Sequence, residues 1–144
     1  MKQKRQIIFF IILVFLGICS IAYGETLLIT NKSVIDRSIR KGDIKRIFLG
    51  KKKHWKDGSS IKVVTLKTGA RHKDFMETYV NKTPYSFSAF WKRALVTGTG
   101  IPPKSFKTEK ELLKFVSERQ GAVGYISSPL PPSNADVKVL TIDK

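Results

Sequence analysis

Short aliphatic runs alternate with stretches of helical apolar spacing along residues 26–142, and this alternation limits the fold more than any other feature. "TLLIT" at 26–30 and "IKVVTL" at 61–66 have the composition of buried strands. Residues 39–49 instead place apolar side chains on one helical face, and Gly50 supplies a left-handed stop. Because strands and helices bury their apolar faces by packing in layers, the alternation predicts an α/β fold.

Two more helices are predicted directly after the second strand. One begins near Ala70, where Thr68 is placed to cap it, and its apolar residues recur at helical spacing. The other begins at Ser86 or Ser88 and ends at Gly98. Both would pack on one sheet with the helix at 39–49.

The last part of the chain adds a fourth helix and two strands. Thr108 followed by Glu111 forms a capping box, which is the clearest helix signal in the chain. Strands are predicted at 122–126 and 137–142, whereas the two prolines within 98–106 predict a loop there. The predicted fold is thus a mixed sheet flanked by about four helices. Six aromatic residues are expected in its core: Phe48, Trp55, Phe75, Trp91, Phe115 and Tyr125.

The N-terminus has the order of a bacterial secretion signal. A basic segment at 1–5 precedes an apolar run at 7–22, which ends in the small-x-small sequence "AYG". We therefore expect a signal peptide at 1–24, a single domain at 25–144 and a periplasmic location. The alternative is an uncleaved membrane anchor, although the apolar run is shorter than the roughly 20 residues that a spanning helix needs. The one cysteine, Cys19, lies in this segment, so the mature domain would contain no disulfide.

The chain is strongly basic, with 27 Lys and Arg against 11 Asp and Glu and a net charge of +16. Removal of the signal takes away Lys2, Lys4 and Arg5 and lowers the net charge to +13. Such a charge favours anionic partners, but it does not distinguish a specific anion site from a diffuse attractive field.

Several classes of site are disfavoured by the residues. His54 and His72 stand alone without cysteines, so a structural zinc site lacks ligands, and the acidic residues form no cluster that suggests catalysis. The basic loop at 51–56 contains Trp55 as a stacking surface for nucleic acid, but the further aromatic residues of such a platform are missing. A solvated turn with Trp55 folded into the core is the preferred interpretation.

The stretch "KTGARHK" at 67–73 is the best candidate for a site. It places a glycine turn between a strand and a helix, a geometry in which free backbone N–H groups point at a bound anion. It also places cations in a first helical turn, where the helix dipole disfavours them unless an anion is bound. The predicted anion-binding residues are Thr68, Gly69, Ala70, Arg71 and His72.

Four stretches together resemble a known family. They are "IKRIFLGKKKHWKDGSSI", "VVTLKTGARHKDF", "AFWKRALVTGTGIPP" and "GAVGYI", in that order between residues 43 and 126. They are similar to the second lobe of the periplasmic phosphate-binding subunit of bacterial ABC-type phosphate uptake systems. The resemblance implies a single lobe of a type 2 periplasmic-binding-protein fold.

In that family phosphate lies between two lobes, and this lobe contributes a Ser-Gly-Thr turn at a helix N-terminus and an arginine shortly before it. The corresponding turn here, Thr68 to Arg71, keeps a hydroxyl residue and the glycine but lacks the final hydroxyl. Residues 64–66 stand where the arginine is expected, which leaves Lys67 or Arg71 as its substitute. A second lobe, half of the family's ligand cage, is missing from the chain.

The resemblance implies an exported, non-enzymatic binding protein for phosphate or a related oxyanion, without a cofactor or metal and linked to phosphate transport. The second lobe would come from a dimer mate or a partner protein. The alternative is an envelope interaction protein that keeps the fold and binds a partner protein or polyanion through its basic surface. Nucleic acid is not an expected partner, and membrane contact is expected only through an uncleaved N-terminal segment.

Overall fold

A computed structural model of the protein describes residues 24–131 and 136–144. Its strands are β1 (Thr26–Asn31), β2 (Ser38–Arg40), β3 (Lys62–Leu66), β4 (Lys104–Phe106), β5 (Ala122–Ser127), β6 (Val137–Val139) and β7 (Thr141–Asp143). Five of them form a mixed sheet in the order β4-β3-β5-β1-β6, and β2 pairs with β7 separately. In the large sheet β3 is parallel to β4 and β5, whereas β1 is antiparallel to β5 and β6.

Four helices accompany the sheet in these residues: α1 (Lys41–Phe48), α2 (Ala70–Phe75), α3 (Pro84–Val96) and α4 (Glu109–Glu118). α2 continues directly into a turn of π-helix at Met76–Val80, so this helical segment runs from 70 to 80. A mixed sheet with four helices confirms the predicted α/β fold.

The C-terminal strand prediction is wrong in one respect. Residues 137–142 form two strands rather than one, because the chain leaves the large sheet at Leu140, whose side chain is buried. β6 pairs with β1, and the next residues pair as β7 with β2, a three-residue strand that the sequence did not predict. Such short pairings depend on tertiary contacts rather than on a local pattern.

The predicted loop at 98–106 is also partly wrong, since Lys104–Phe106 pairs in parallel with β3. Pro102 and Pro103 precede the strand and therefore do not have to donate to its ladder. The two prolines therefore exclude a strand at positions 102 and 103 but not at 104–106.

Two predicted helix starts and one predicted cap are corrected by the structure. α1 begins at Lys41 rather than at Ile39, because Ile39 and Arg40 belong to β2. α3 begins at Pro84 rather than at Ser86 or Ser88, and the Thr83 side chain accepts the Ser86 N–H at 3.1 Å. α2 is capped by Gly69 rather than by Thr68, with no side-chain hydrogen bond. α4 begins as predicted.

The core contains five of the six expected aromatic residues. Phe48, Phe75 and Tyr125 are fully buried, and the rings of Phe75 and Tyr125 stack at 3.9 Å with an angle of 8°. Trp55 and Trp91 are also buried. Phe115 is only half-buried, because it lies at the margin of α4 against Phe106.

The predicted signal at 1–24 lies almost wholly outside the described residues, which begin at Gly24. Within the part of the chain that the structure describes, no helix has the length and apolar character needed to cross a membrane.

Candidate anion-binding site

The candidate turn lies at the C-terminal edge of the large sheet. Because β3, β4 and β5 are parallel, all three end at this edge, and the antiparallel β1 begins there. The chain leaves β3 at Leu66, bends through 67–69 and enters α2 at Ala70. Ligands of open α/β sheets commonly bind outside the carboxyl ends of the strands.

The turn presents free backbone donors to solvent. Gly69 has φ +102°, which a residue with a side chain rarely adopts, and this conformation directs the chain into the helix. Among the described residues, no backbone carbonyl accepts from the N–H groups of Ala70, Arg71 or His72, whereas the Lys73 N–H is bonded to the Gly69 carbonyl. Thr68 and Ala70 are exposed. An anion can therefore approach these donors from solvent.

The Arg71 side chain points from this turn along the edge of the sheet. Its Nε donates to the Ser127 hydroxyl at 3.0 Å, and its Nη atoms donate to the Thr26 hydroxyl and the Gly24 carbonyl. It thereby fastens the start of β1 and the end of β5 to α2, and only 14% of the side chain is exposed.

Two carboxylates balance the charge of Arg71. Its guanidinium lies 3.6 Å from Asp74 and 3.9 Å from Glu109. Glu109 also accepts hydrogen bonds from the Ser127 N–H and hydroxyl. The guanidinium is thus engaged by oxygen atoms of the protein, and the exposed cations nearest in sequence to the turn are Lys67 and Lys73.

The His72 side chain turns inward, away from the exposed backbone of the turn. Its Nδ1 lies 2.7 Å from the Tyr125 hydroxyl oxygen, which accepts the Leu66 N–H at 3.0 Å. Burial lowers the pKa of His72 and raises the pKa of Tyr125 above its ordinary value. Both groups are therefore neutral at pH 7, and the pair joins α2 to β3 and β5 through the core.

Three residues that the sequence did not indicate as site residues lie beside the turn: Ser88, Lys92 and Ser105. Together with Lys67 and His72 they line a pocket of about 220 Å³. The sequence contains one signal for them: Ser88 and Lys92 are four residues apart in α3 and therefore lie on one face. Ser105 could not be found, because its position depends on the unpredicted strand β4.

The basic loop at 51–56 does not form a stacking platform. Trp55 is buried, and its indole N–H donates to the Gly121 carbonyl at 3.0 Å. Lys52 donates to Asp43 at 3.2 Å, and Asp43 also contacts Arg46. The preferred interpretation of the loop, a turn with its tryptophan in the core, is confirmed.

Metal ligation finds no support within residues 24–131 and 136–144, where no group of three His, Cys, Asp or Glu residues is placed to hold an ion. The groups at the C-terminal edge that remain open beside the turn are instead donors: backbone N–H groups, hydroxyls and ammonium groups. They suit an acceptor-rich anion.

Comparison with known proteins gives likeness in structure only. No protein-family model and no curated protein sequence matches the chain. A protein from Clostridium perfringens, described as a phosphate ABC transporter substrate-binding protein and solved with bound phosphate, is 21% identical, with a TM-score of 0.64. The match covers 85% of this chain and 46% of that one.

Two further structures show the same relationship. PstS from Borrelia burgdorferi is 15% identical with a TM-score of 0.65, and the match covers 85% of this chain and 48% of that one. An ABC-type phosphate transport receptor from Vibrio cholerae is 15% identical with a TM-score of 0.61, and the match covers 83% of this chain and 46% of that one.

The chain spans about half the length of these structures. Its fold is that of a single lobe of a PstS-like periplasmic binding protein, as the resemblance implied. At these sequence identities the likeness concerns the fold, and the ligand has to be argued from the residues of this chain.

Proposed function

We propose that the protein is an exported, non-enzymatic binding protein that recognises phosphate or a related oxyanion at the turn formed by Thr68 to His72, in the service of phosphate transport. The mature domain comprises residues 25–144 and acts in the periplasm after removal of 1–24. Thr68 offers its hydroxyl, and the backbone N–H groups of Ala70 and Arg71 donate to the anion.

The observation that carries this proposal is the set of unpartnered N–H groups at the C-terminal edge of the sheet. Its second support is the fold, which resembles that of a protein described as a phosphate ABC transporter substrate-binding protein, with phosphate bound, and that of an ABC-type phosphate transport receptor. The guanidinium of Arg71 is bonded to Ser127 and Thr26, which remain in the mature domain, so in this proposal it holds the turn in place as well as adding positive charge.

The test is a phosphate titration of the exported protein, followed by the backbone amide signals in NMR spectra. We expect the signals of residues 68–72 to move, with a dissociation constant near 1 mM, which corresponds to about −4 kcal/mol. Sodium chloride at matched ionic strength is the control. If chloride moves these signals as far as phosphate does, or if phosphate moves none of them, there is no oxyanion site at the turn.

A second candidate function is supported by a different surface. Between residues 78 and 108 the sequence contains no acidic residue and five basic ones. The same segment exposes Tyr85, Leu95, Val96 and Ile101, at 84%, 56%, 87% and 84%. Exposed apolar side chains within a basic surface suit an envelope protein partner with an acidic, apolar face.

This interaction function is tested by placing a photo-crosslinking residue at Val96 in cells. Ile35 is the matched control, because it is also apolar and 62% exposed but lies outside the acid-free segment. A discrete crosslinked product from position 96 and none from position 35 is expected. Equal yields from both positions would mean that the surface has no specific partner.

A further inference from the structure

The pocket beside the candidate turn is built from four elements of the chain. Six of its lining residues carry polar groups that matter here: Lys67 after β3, His72 on α2, Ser88, Trp91 and Lys92 on α3, and Ser105 on β4. Its volume is about 220 Å³, and none of its lining residues is acidic. Lys67 and His72 flank or belong to the turn, so the pocket continues directly from the candidate site.

His72 supplies a donor to this pocket. Nδ1 is the one described acceptor within hydrogen-bond distance of the buried Tyr125 hydroxyl, so we assign the phenolic proton to the bond between them. A neutral imidazole that accepts at Nδ1 carries its own proton on Nε2. No described residue accepts from Nε2, although His72 is only 5% exposed. This N–H is therefore available to a ligand in the pocket that His72 lines.

The other lining groups are unpartnered as well. No described carboxylate lies within salt-bridge distance of Lys67 or Lys92, in contrast to Lys52 and Arg71. The hydroxyls of Ser88 and Ser105 make no hydrogen bond to a described residue, and the buried indole N–H of Trp91 has no partner. The pocket thus gathers donors and positive charge, and no carboxylate lines it.

We propose that this pocket forms a second wall of the oxyanion site, so that an anion is held between the turn and α3 of the same chain. This inference rests on the proposed function and names the groups that complete it. Lys67 and Lys92 supply charge, Ser88 and Ser105 supply hydroxyls, and His72 donates through Nε2. α3 and β4 thereby supply donors on the side of the anion that the turn leaves open.

The size of the pocket defines the ligand class. At about 30 Å³ for each water molecule, 220 Å³ corresponds to roughly seven waters. This space holds a tetrahedral oxyanion with part of its hydration shell. Because the lining contains no carboxylate, sulfate is expected to compete with phosphate.

The experiment measures inorganic phosphate binding to the exported protein and to three single variants by calorimetry. Lys92→Ala is expected to weaken binding about tenfold, the loss of one charge-assisted hydrogen bond. Lys73→Ala is the matched control, since Lys73 is exposed on α2 and does not line the pocket, and it should change binding less than twofold. Ser88→Ala, another exposed position on α3, should weaken binding severalfold.

The ¹⁵N signal of His72 Nε2 provides a readout that a merely structural role would not move. Phosphate is expected to shift it, and the dissociation constant should not depend on protein concentration. If phosphate moves the amides of 68–72 while Lys92→Ala binds normally and Nε2 does not shift, the second wall is refuted and the turn site stands. If neither the amides nor Nε2 respond, both proposals fail.

Discussion

Ala70 occupies the first position of α2, where its N–H group has no backbone partner and its side chain is exposed. Proline is tolerated at this position of a helix because the missing N–H is not used in the helix and the fixed φ suits its start. Ala70→Pro therefore removes one proposed anion donor while keeping the helix. We expect phosphate binding to weaken severalfold.

Thermal unfolding of the Ala70→Pro protein is the control, because it measures whether the variant keeps the stability of the wild type. An unchanged or slightly raised midpoint together with weaker binding assigns the loss to the missing donor. Unchanged binding by a folded Ala70→Pro protein would exclude this N–H group from the site.

His72 makes the stability of the protein depend on pH. Burial depresses the pKa of the folded imidazole below its ordinary value of 6.5, so between these two pKa values the unfolded chain binds the proton more readily. The contribution of His72 to the free energy of unfolding should therefore be fully present well above pH 6.5 and fall as the pH decreases through 6.5. The slope for one proton is at most about 1.4 kcal/mol per pH unit.

Urea unfolding at a series of pH values measures this dependence. His72→Gln should remove the slope immediately below pH 6.5, whereas His54→Gln should keep it, because His54 is exposed. A slope that survives His72→Gln would assign the dependence to another group.

At the scale of elements, α2 and α4 each contribute an aromatic ring, and the depth of burial decides how much stability the protein loses when that ring is removed. Phe75 is fully buried between Phe48 and Tyr125, so Phe75→Ala should lower the free energy of unfolding by about 3–5 kcal/mol. Phe115 is half-buried against Phe106, with Lys104 and Arg119 over its ring. Phe115→Ala should cost about 1–2 kcal/mol.

The two losses are compared by urea unfolding, which is valid when both variants keep the slope of the wild-type transition. Equal losses would mean that α4 packs on the sheet more deeply than the structure shows.

At the scale of the whole molecule, the N-terminal segment decides where the basic domain acts. Its basic, apolar and small-residue order predicts cleavage after Gly24, so mass spectrometry of the exported protein should identify Glu25 as the first residue. A full-length protein retained in the inner membrane would contradict this prediction. The domain would then be tethered at the edge of the sheet where the candidate anion site lies, since Gly24 contacts Arg71.

Most of the framework could be predicted from the sequence, because its elements carry local signals. The Thr108 hydroxyl accepts the Glu111 N–H at 3.2 Å as the capping box predicted, and the apolar runs of β1, β3 and β5 became the centre of the sheet. Dense apolar patterns and caps act over a few residues, so they are visible without knowledge of distant contacts.

The edges of the fold could not be predicted. β2, β4 and β7 are three residues long, and each exists because a partner strand lies beside it. The break follows Leu140, whose N–H still donates to the Leu28 carbonyl of β1, whereas the Thr141 N–H donates to the Arg37 carbonyl beside β2. None of these interactions has a local pattern.

By itself, the sequence determined the α/β architecture, the basic character and a turn with free helical N–H groups. Only the tertiary structure decided how the side chains around that turn are used. It directs Arg71 to Ser127 and Gly24, and His72 to Tyr125, while Lys92 and Ser105 come beside the turn from α3 and β4. The physical reason is that backbone donors are fixed by neighbouring residues, whereas the partners of a long or buried side chain are set by residues distant in the chain.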